Sequence, residues 1–220
     1  MIKELEELVE NIEVRSMKRK RIVIFAFIII TIVSSISIAL NIRTASEQGR
    51  IRRNMINQVY GEMRNISLNL DGLIYNIENE VTDCEINQQN LTMLSQNFVR
   101  LDTILKLYVY YFPSERIYYG DVFDFGFISY TLTAGTGTAN GMAYSGITMD
   151  NAISENKVRY LTILRDDINL IVAAMVSNEN PPQENQNLTT SQINTILDTF
   201  FSKWSFHNEN SPYMLLRNKP

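Results

Sequence analysis

Residues 106–130 read KLYVYYFPSERIYYGDVFDFGFISY and hold ten of the chain's 22 aromatic residues. Whether they form strands or a helix decides the fold. KLYVYYF is dense in aromatic and β-branched side chains, which suit a pleated surface. Pro113-Ser114-Glu115-Arg116 has turn chemistry, because proline presets φ and serine bonds the nearby backbone. RIYYG (116–120) resumes the strand character and ends at Gly120. Strand, four-residue turn and strand predict a β-hairpin. A competing reading continues the preceding helix through Tyr108 and Phe112 up to Pro113. The Tyr and Val side chains at 108–111 cost helix propensity, which favours the hairpin.

A second stretch carries the same ambiguity. In VRYLTILRDDINLIVAAMV (158–176), VRYLTIL and NLIVAAMV read as adjacent strands joined by the charged corner RDDI. Leu161, Leu164, Ile168, Ile171 and Met175 also fit helical 3/4 spacing, and periodicity alone does not separate the two. If both stretches are strands, the domain is α+β: a small antiparallel sheet beside long helices. If both are helical, it is an all-α four-helix bundle.

Upstream, residues 22–42 form a run of 21 residues without a charge, bounded by Arg21 and Arg43. About 20 such residues cross the roughly 30 Å hydrocarbon layer as a helix. The run is longer than the apolar core of a usual cleaved leader, and NIRTASEQGR after it is a weak cleavage site, so a retained anchor is expected. Arg15, Lys18, Arg19, Lys20 and Arg21 crowd its N-terminal flank, which places residues 1–21 in the cytoplasm and residues 44–220 outside. The membrane lipid is therefore the first expected partner. The short tail spaces Ile2, Leu5, Leu8, Val9 and Ile12 as an amphipathic contact helix.

Past Arg43, Ile56, Val59, Met63, Ile66, Leu70, Leu73 and Ile77 follow one another in alternating steps of 3 and 4. This heptad seam predicts a helix leaving the membrane, packed on its own domain or on a second copy as a homodimer. The polar stretch TDCEINQQN (82–90) then fits a loop, and Leu91, Leu94, Phe98, Leu101 and Leu105 predict a second helix over about 90–105. NENPPQENQNL (178–188) reads as a linker. TTSQINTILDTFFSKW (189–204) reads as a capped helix with Ile193, Leu197, Phe200 and Trp204 on one face.

Composition narrows the chemistry. Residues 44–220 carry thirteen Lys/Arg against nineteen Asp/Glu, a poor balance for nucleic-acid backbone, so no nucleic-acid partner is expected. Cys84 is the single cysteine and His207 the single histidine, which gives neither an intrachain disulfide nor a zinc or haem ligand set. No metal and no cofactor are expected. FDFGF lacks the companions of a kinase site, and AGTGTANG (134–141) has no following lysine to cradle a phosphate, so it reads as a surface loop. The sequons at Asn65, Asn90 and Asn187 matter only in a glycosylating host. No acid, base and nucleophile come together, and an enzyme is not expected.

One span, a long outward helix, a second helix and a hairpin of the form LKLYVYYFPSERIYYG together resemble the extracytoplasmic Cache domains. These are PAS-like sensor modules of bacterial membrane receptors, histidine kinases and membrane-bound transcription regulators. The resemblance is carried by residues 90–120, with support from 158–176. It implies an antiparallel sheet whose face holds a small ligand, here near Tyr110, Tyr119, Arg159 and Tyr160. Asp121 and Asp124 would lie at the mouth to meet an amine, unless they are solvated loop aspartates. The chain departs from that family in showing no second span and no output domain.

The expected organisation is a cytoplasmic tail (1–21), a transmembrane helix (22–42), a membrane-proximal heptad helix (43–87), a PAS/Cache-like domain (88–206) and a tail (207–220). The leading functional expectation is a single-pass sensory or ligand-binding module acting through a membrane signalling partner. The alternative is a structural or adaptor subunit of a cell-envelope membrane complex with no small-molecule ligand.

Overall fold

A computed structural model gives the fold. It describes residues 2–79, 84–112, 125–133, 136–139, 142–147, 153–177, 185, 188–205 and 208–217. In chain order the helices are α1 (Ile2–Glu78), α2 (Cys84–Tyr111), α3 (Phe125–Thr133), α4 (Glu155–Ala174) and α5 (Thr190–Lys203), followed by a 3₁₀ turn at Pro212–Leu216. Between α3 and α4, β1 (Thr136–Ala139) pairs antiparallel with β2 (Met142–Ser145), Ala139 opposite Met142. The chain divides into two compact units, Met1–Ile51 and Arg52–Pro220.

In the first unit α1 has, from Ile22 onward, a stretch long and apolar enough to cross a membrane. Its large apolar side chains from Ile22 to Ile42 are exposed, as a spanning helix would require. Two of the polar members inside it bond back to the helix itself. Thr31 Oγ1 donates to the Phe27 carbonyl at 2.9 Å, and Ser35 Oγ donates to the Thr31 carbonyl at 2.8 Å. Such back-bonding removes the cost of bare hydroxyls in hydrocarbon.

The second unit is an all-α assembly, and this overturns the α+β expectation and the Cache/PAS resemblance. The helix that begins at Cys84 runs on through residues 106–111, where the first strand of the hairpin was expected. Its stripe of Leu101, Leu105, Tyr108 and Phe112 is buried. The physical reason is one of magnitudes. Aromatic and β-branched residues lose at most about 0.7 kcal/mol each in a helix. Burying a large apolar side chain returns about 1.5–3 kcal/mol. The expected turn at 113–116 and the second strand at 116–120 lie outside the described residues.

The stretch 158–176 is likewise corrected: residues 158–174 lie in one helix, α4, rather than two strands. Tyr160, Leu161, Leu164, Asp167, Ile168 and Ile171 all face inward. Among the described residues the one sheet is the four-residue β1–β2 pair, too small for a PAS-like sheet. That pair takes up part of the glycine-rich run expected as a surface loop. Asn140-Gly141 stands between its strands, the dipeptide with the strongest short hairpin preference.

Cross-helix contacts fix the register. The Arg52 guanidinium lies 5.3 Å from the centroid of the Phe112 ring, and Asn76 Nδ2 donates to Asn87 Oδ1 at 3.3 Å, so α1 beyond Arg52 and α2 run antiparallel. Ser67 donates to Asn169, and Arg165 meets Asp71 at 3.8 Å, which sets α4 antiparallel to α1 as well. Ser95 and Ser129 hydroxyls share a bond of 2.6 Å between α2 and α3. Phe125 packs against Phe98, Phe200 and Phe201 at centroid distances of 5.9, 5.4 and 5.0 Å. One core of buried side chains, drawn from every helix, results.

Helix α5 follows its expected design. Thr189 accepts from the Gln192 amide at 3.3 Å, while Gln192 Oε1 accepts from the Thr189 amide at 2.9 Å. This reciprocal box satisfies two orphan donors at the helix start. Thr189→Ala is expected to cost about 1 kcal/mol, read as a lower urea midpoint at unchanged slope.

Candidate functional site: a helical docking surface

The heptad seam is used within the chain. Ile56, Val59, Met63, Ile66, Leu70 and Leu73 are buried, and Ile77 packs partly buried against the same core. In this structure they form the floor of the helical unit rather than an outward face.

Of the residues expected to bind a ligand, Tyr110, Arg159 and Tyr160 are described, and they stand in different surroundings. Tyr110 is on the outer face of α2, 77% exposed. Arg159 is exposed near the start of α4. Tyr160, its neighbour in sequence, is fully buried: its ring meets Trp204 edge-on at 5.3 Å, and its hydroxyl shares a 3.0 Å bond with Thr131. Burial pushes the Tyr160 hydroxyl well above the usual phenol range, against a smaller lowering by the Thr131 bond. Tyr119, Asp121 and Asp124 lie outside the described residues.

Among the described residues, two surfaces stand out. The first is the outer face of α2. The inward stripe takes Phe98, Leu101, Leu105 and Tyr108, which leaves Val99, Leu107, Tyr110 and Tyr111 turned to water. Leu107, Tyr110 and Tyr111 fall one turn apart and so share one face. The Tyr110 and Tyr111 rings meet edge-on at 5.5 Å. Single exposed apolar residues are ordinary, but a contiguous group with two tyrosines fits protein contact.

The second is a groove between α4 and α5 of about 380 Å³. Leu170, Ile171 and Ala174 form one wall, and Thr195, Ile196, Thr199 and Phe200 the other. Asp167 and Lys203 close one end. Asp167 is a buried carboxylate with both oxygens engaged: Lys203 Nζ donates to Oδ1 at 2.7 Å and Trp204 Nε1 donates to Oδ2 at 2.8 Å. Such saturation is what a buried carboxylate requires. The strand reading put Asp167 in the charged corner RDDI between two strands. A signal was available: Asp167 stands three residues after Leu164 and four before Ile171, on the apolar stripe of the helix.

Among the described residues no three His, Cys, Asp or Glu side chains are grouped to hold a metal ion. No protein-family model, no curated protein and no solved structure matches the chain.

Proposed function

We propose that the chain is a structural or adaptor subunit of a cell-envelope membrane complex. Helix α1 anchors it in a single pass, with the tail 1–21 in the cytoplasm and the helical unit outside. The five cations between Arg15 and Arg21 support that orientation. Partner proteins, rather than a small solute, are what the helical unit holds. The observation that carries this is the outer face of α2, where Leu107, Tyr110 and Tyr111 stay in water beside a core that is already filled. Tyrosine is favoured at interface centres because its ring is apolar and its hydroxyl can still bond.

The test is crosslinking of the full chain in intact membranes, followed by mass spectrometry and isolation in mild detergent. A stoichiometric protein partner is expected. The variant Leu107→Ser/Tyr110→Ser/Tyr111→Ser should lose at least about 90% of it, since loss of 1.4 kcal/mol already weakens binding tenfold. Its thermal unfolding should barely move, because all three side chains are exposed. A chain isolated alone, whose melting is raised by a small solute, would overturn the reading.

A further inference from the structure

Helix α1 carries a dense basic run at one end of its apolar stretch. We propose that this run, residues 15–21, is a binding site for the anionic phospholipid headgroups of the leaflet facing the tail. The proposal rests on the membrane anchoring of α1 and is independent of what the helical unit holds outside.

Density comes first. RSMKRKR (15–21) holds five Lys/Arg and no Asp or Glu. A modest excess of cations is all that orientation requires. Here Arg15 and Lys18, Arg15 and Arg19, and Lys18 and Arg21 also stand three or four residues apart, where like charges on a helix repel. No Asp or Glu lies three or four residues to either side of any of the five. The counter-charge that such a run calls for is therefore not supplied at helical spacing. The far end of the apolar stretch is built differently: Arg43 Nε donates to Glu47 Oε1 at 3.3 Å, one turn on. Lys20, two residues from Ile22, is exposed.

Position decides which anion. The run and the apolar stretch belong to one unbroken helix. At 1.5 Å per residue, Arg15 stands about 9 Å along the axis from Arg21, which borders Ile22. The headgroup layer of a bilayer is about 5–8 Å deep on each side, so the run covers it. At 3.6 residues per turn the five positions go round the axis with no gap wider than about 100°. A one-sided stripe would suit a protein or nucleic-acid partner, whereas a collar suits a layer that surrounds the helix. Glu4, Glu6, Glu7, Glu10 and Glu13 all precede the run. The nearest, Glu13, is about 12 Å along the axis from Arg21, more than the Debye length of about 8 Å at physiological salt. They leave the cations nearest the hydrocarbon uncompensated. A polybasic segment directly beside a span is what attracts anionic lipid.

The experiment reconstitutes the full chain into phosphatidylcholine vesicles with a trace of spin-labelled lipid. Electron paramagnetic resonance reads the fraction of label held at the protein. Spin-labelled phosphatidylglycerol should be held at least about threefold more strongly than spin-labelled phosphatidylcholine at low salt. That preference should drop by at least about half at 1 M NaCl, where the Debye length is about 3 Å. Arg15→Gln/Lys18→Gln/Arg19→Gln/Lys20→Gln/Arg21→Gln should abolish it. Arg15→Lys/Arg19→Lys/Arg21→Lys should keep it, as should Arg43→Gln at the far end. Circular dichroism confirms that each variant is folded, and if the Gln variant does not insert, the salt dependence of the unmodified chain decides. No preference, a preference that salt leaves unchanged, or an equal loss with Arg43→Gln would overturn the proposal. Inorganic phosphate at the same ionic strength should do no more than NaCl; a larger displacement would make this a site for free phosphate and overturn it too. If both labels are held equally, the lipid site fails and the anchoring stands. If neither label is held, the anchoring itself fails.

Discussion

Replacing Leu70 with aspartate is expected to unfold the 52–220 unit while leaving the chain inserted in the membrane. Leu70 is fully buried in the middle of the α1 seam. The substitution removes packing worth about 2–5 kcal/mol. It also places a carboxylate where no partner waits, which costs several kcal/mol more. A domain of this size has about 5–15 kcal/mol in total. The matched control is Leu68→Asp, two residues away and 58% exposed, which should change stability by no more than about 0.5 kcal/mol. Circular dichroism at 222 nm and limited proteolysis read both. The comparison separates two uses of one heptad pattern. A seam serving only to join copies would let Leu70→Asp stay folded as a monomer, and that outcome would contradict the packing described above.

Asp167→Ala should be the second large effect, at about 2–3 kcal/mol. The Trp204 indole N–H would be left buried without an acceptor, a loss of about 1–3 kcal/mol. The broken Lys203 pair adds less than a fully buried pair would, because Lys203 is half in water. A lowering of the melting midpoint by roughly 4–12 °C follows for a unit of this length. Asp166→Ala, one residue away with a side chain 59% exposed, should have little effect. The cost of Asp167→Ala should shrink in a Trp204→Phe background, where no indole donor is left unpaired. A double-mutant cycle in urea gives that coupling. Equal costs for Asp166→Ala and Asp167→Ala would remove Asp167 from its assigned role.

How legible these features were depended on which energy term ruled locally. The seam from Ile56 to Leu73 could be read because its period and its burial agree. The helix after Thr189 could be read because its capping residues and its apolar stripe point the same way. Residues 106–111 misled because local preference and tertiary burial disagree there. Tyr108 and Val109 are weak helix formers, yet Leu105, Tyr108 and Phe112 all reach one core. In α4 the same conflict had a second cause. The charged RDDI run looks like a surface corner until Lys203 and Trp204, some 36 residues on, are seen to meet Asp167. No local pattern announces that long-range pairing. The α2 outer face was equally hidden, since the resemblance put Tyr110 on a ligand-binding sheet, whereas it lies on a helix.

The chain's one tryptophan has a practical consequence. Trp204 is 2% exposed, stacked on Phe200 at 5.4 Å and met edge-on by Tyr213 at 5.3 Å. Every photon of indole emission therefore comes from the heart of the α4–α5 region and from nowhere else in the 220 residues. The molecule carries its own optical gauge: unlabelled chain in detergent or vesicles reports loosening of this region as a red shift, while the apolar stretch of α1 contributes no indole signal.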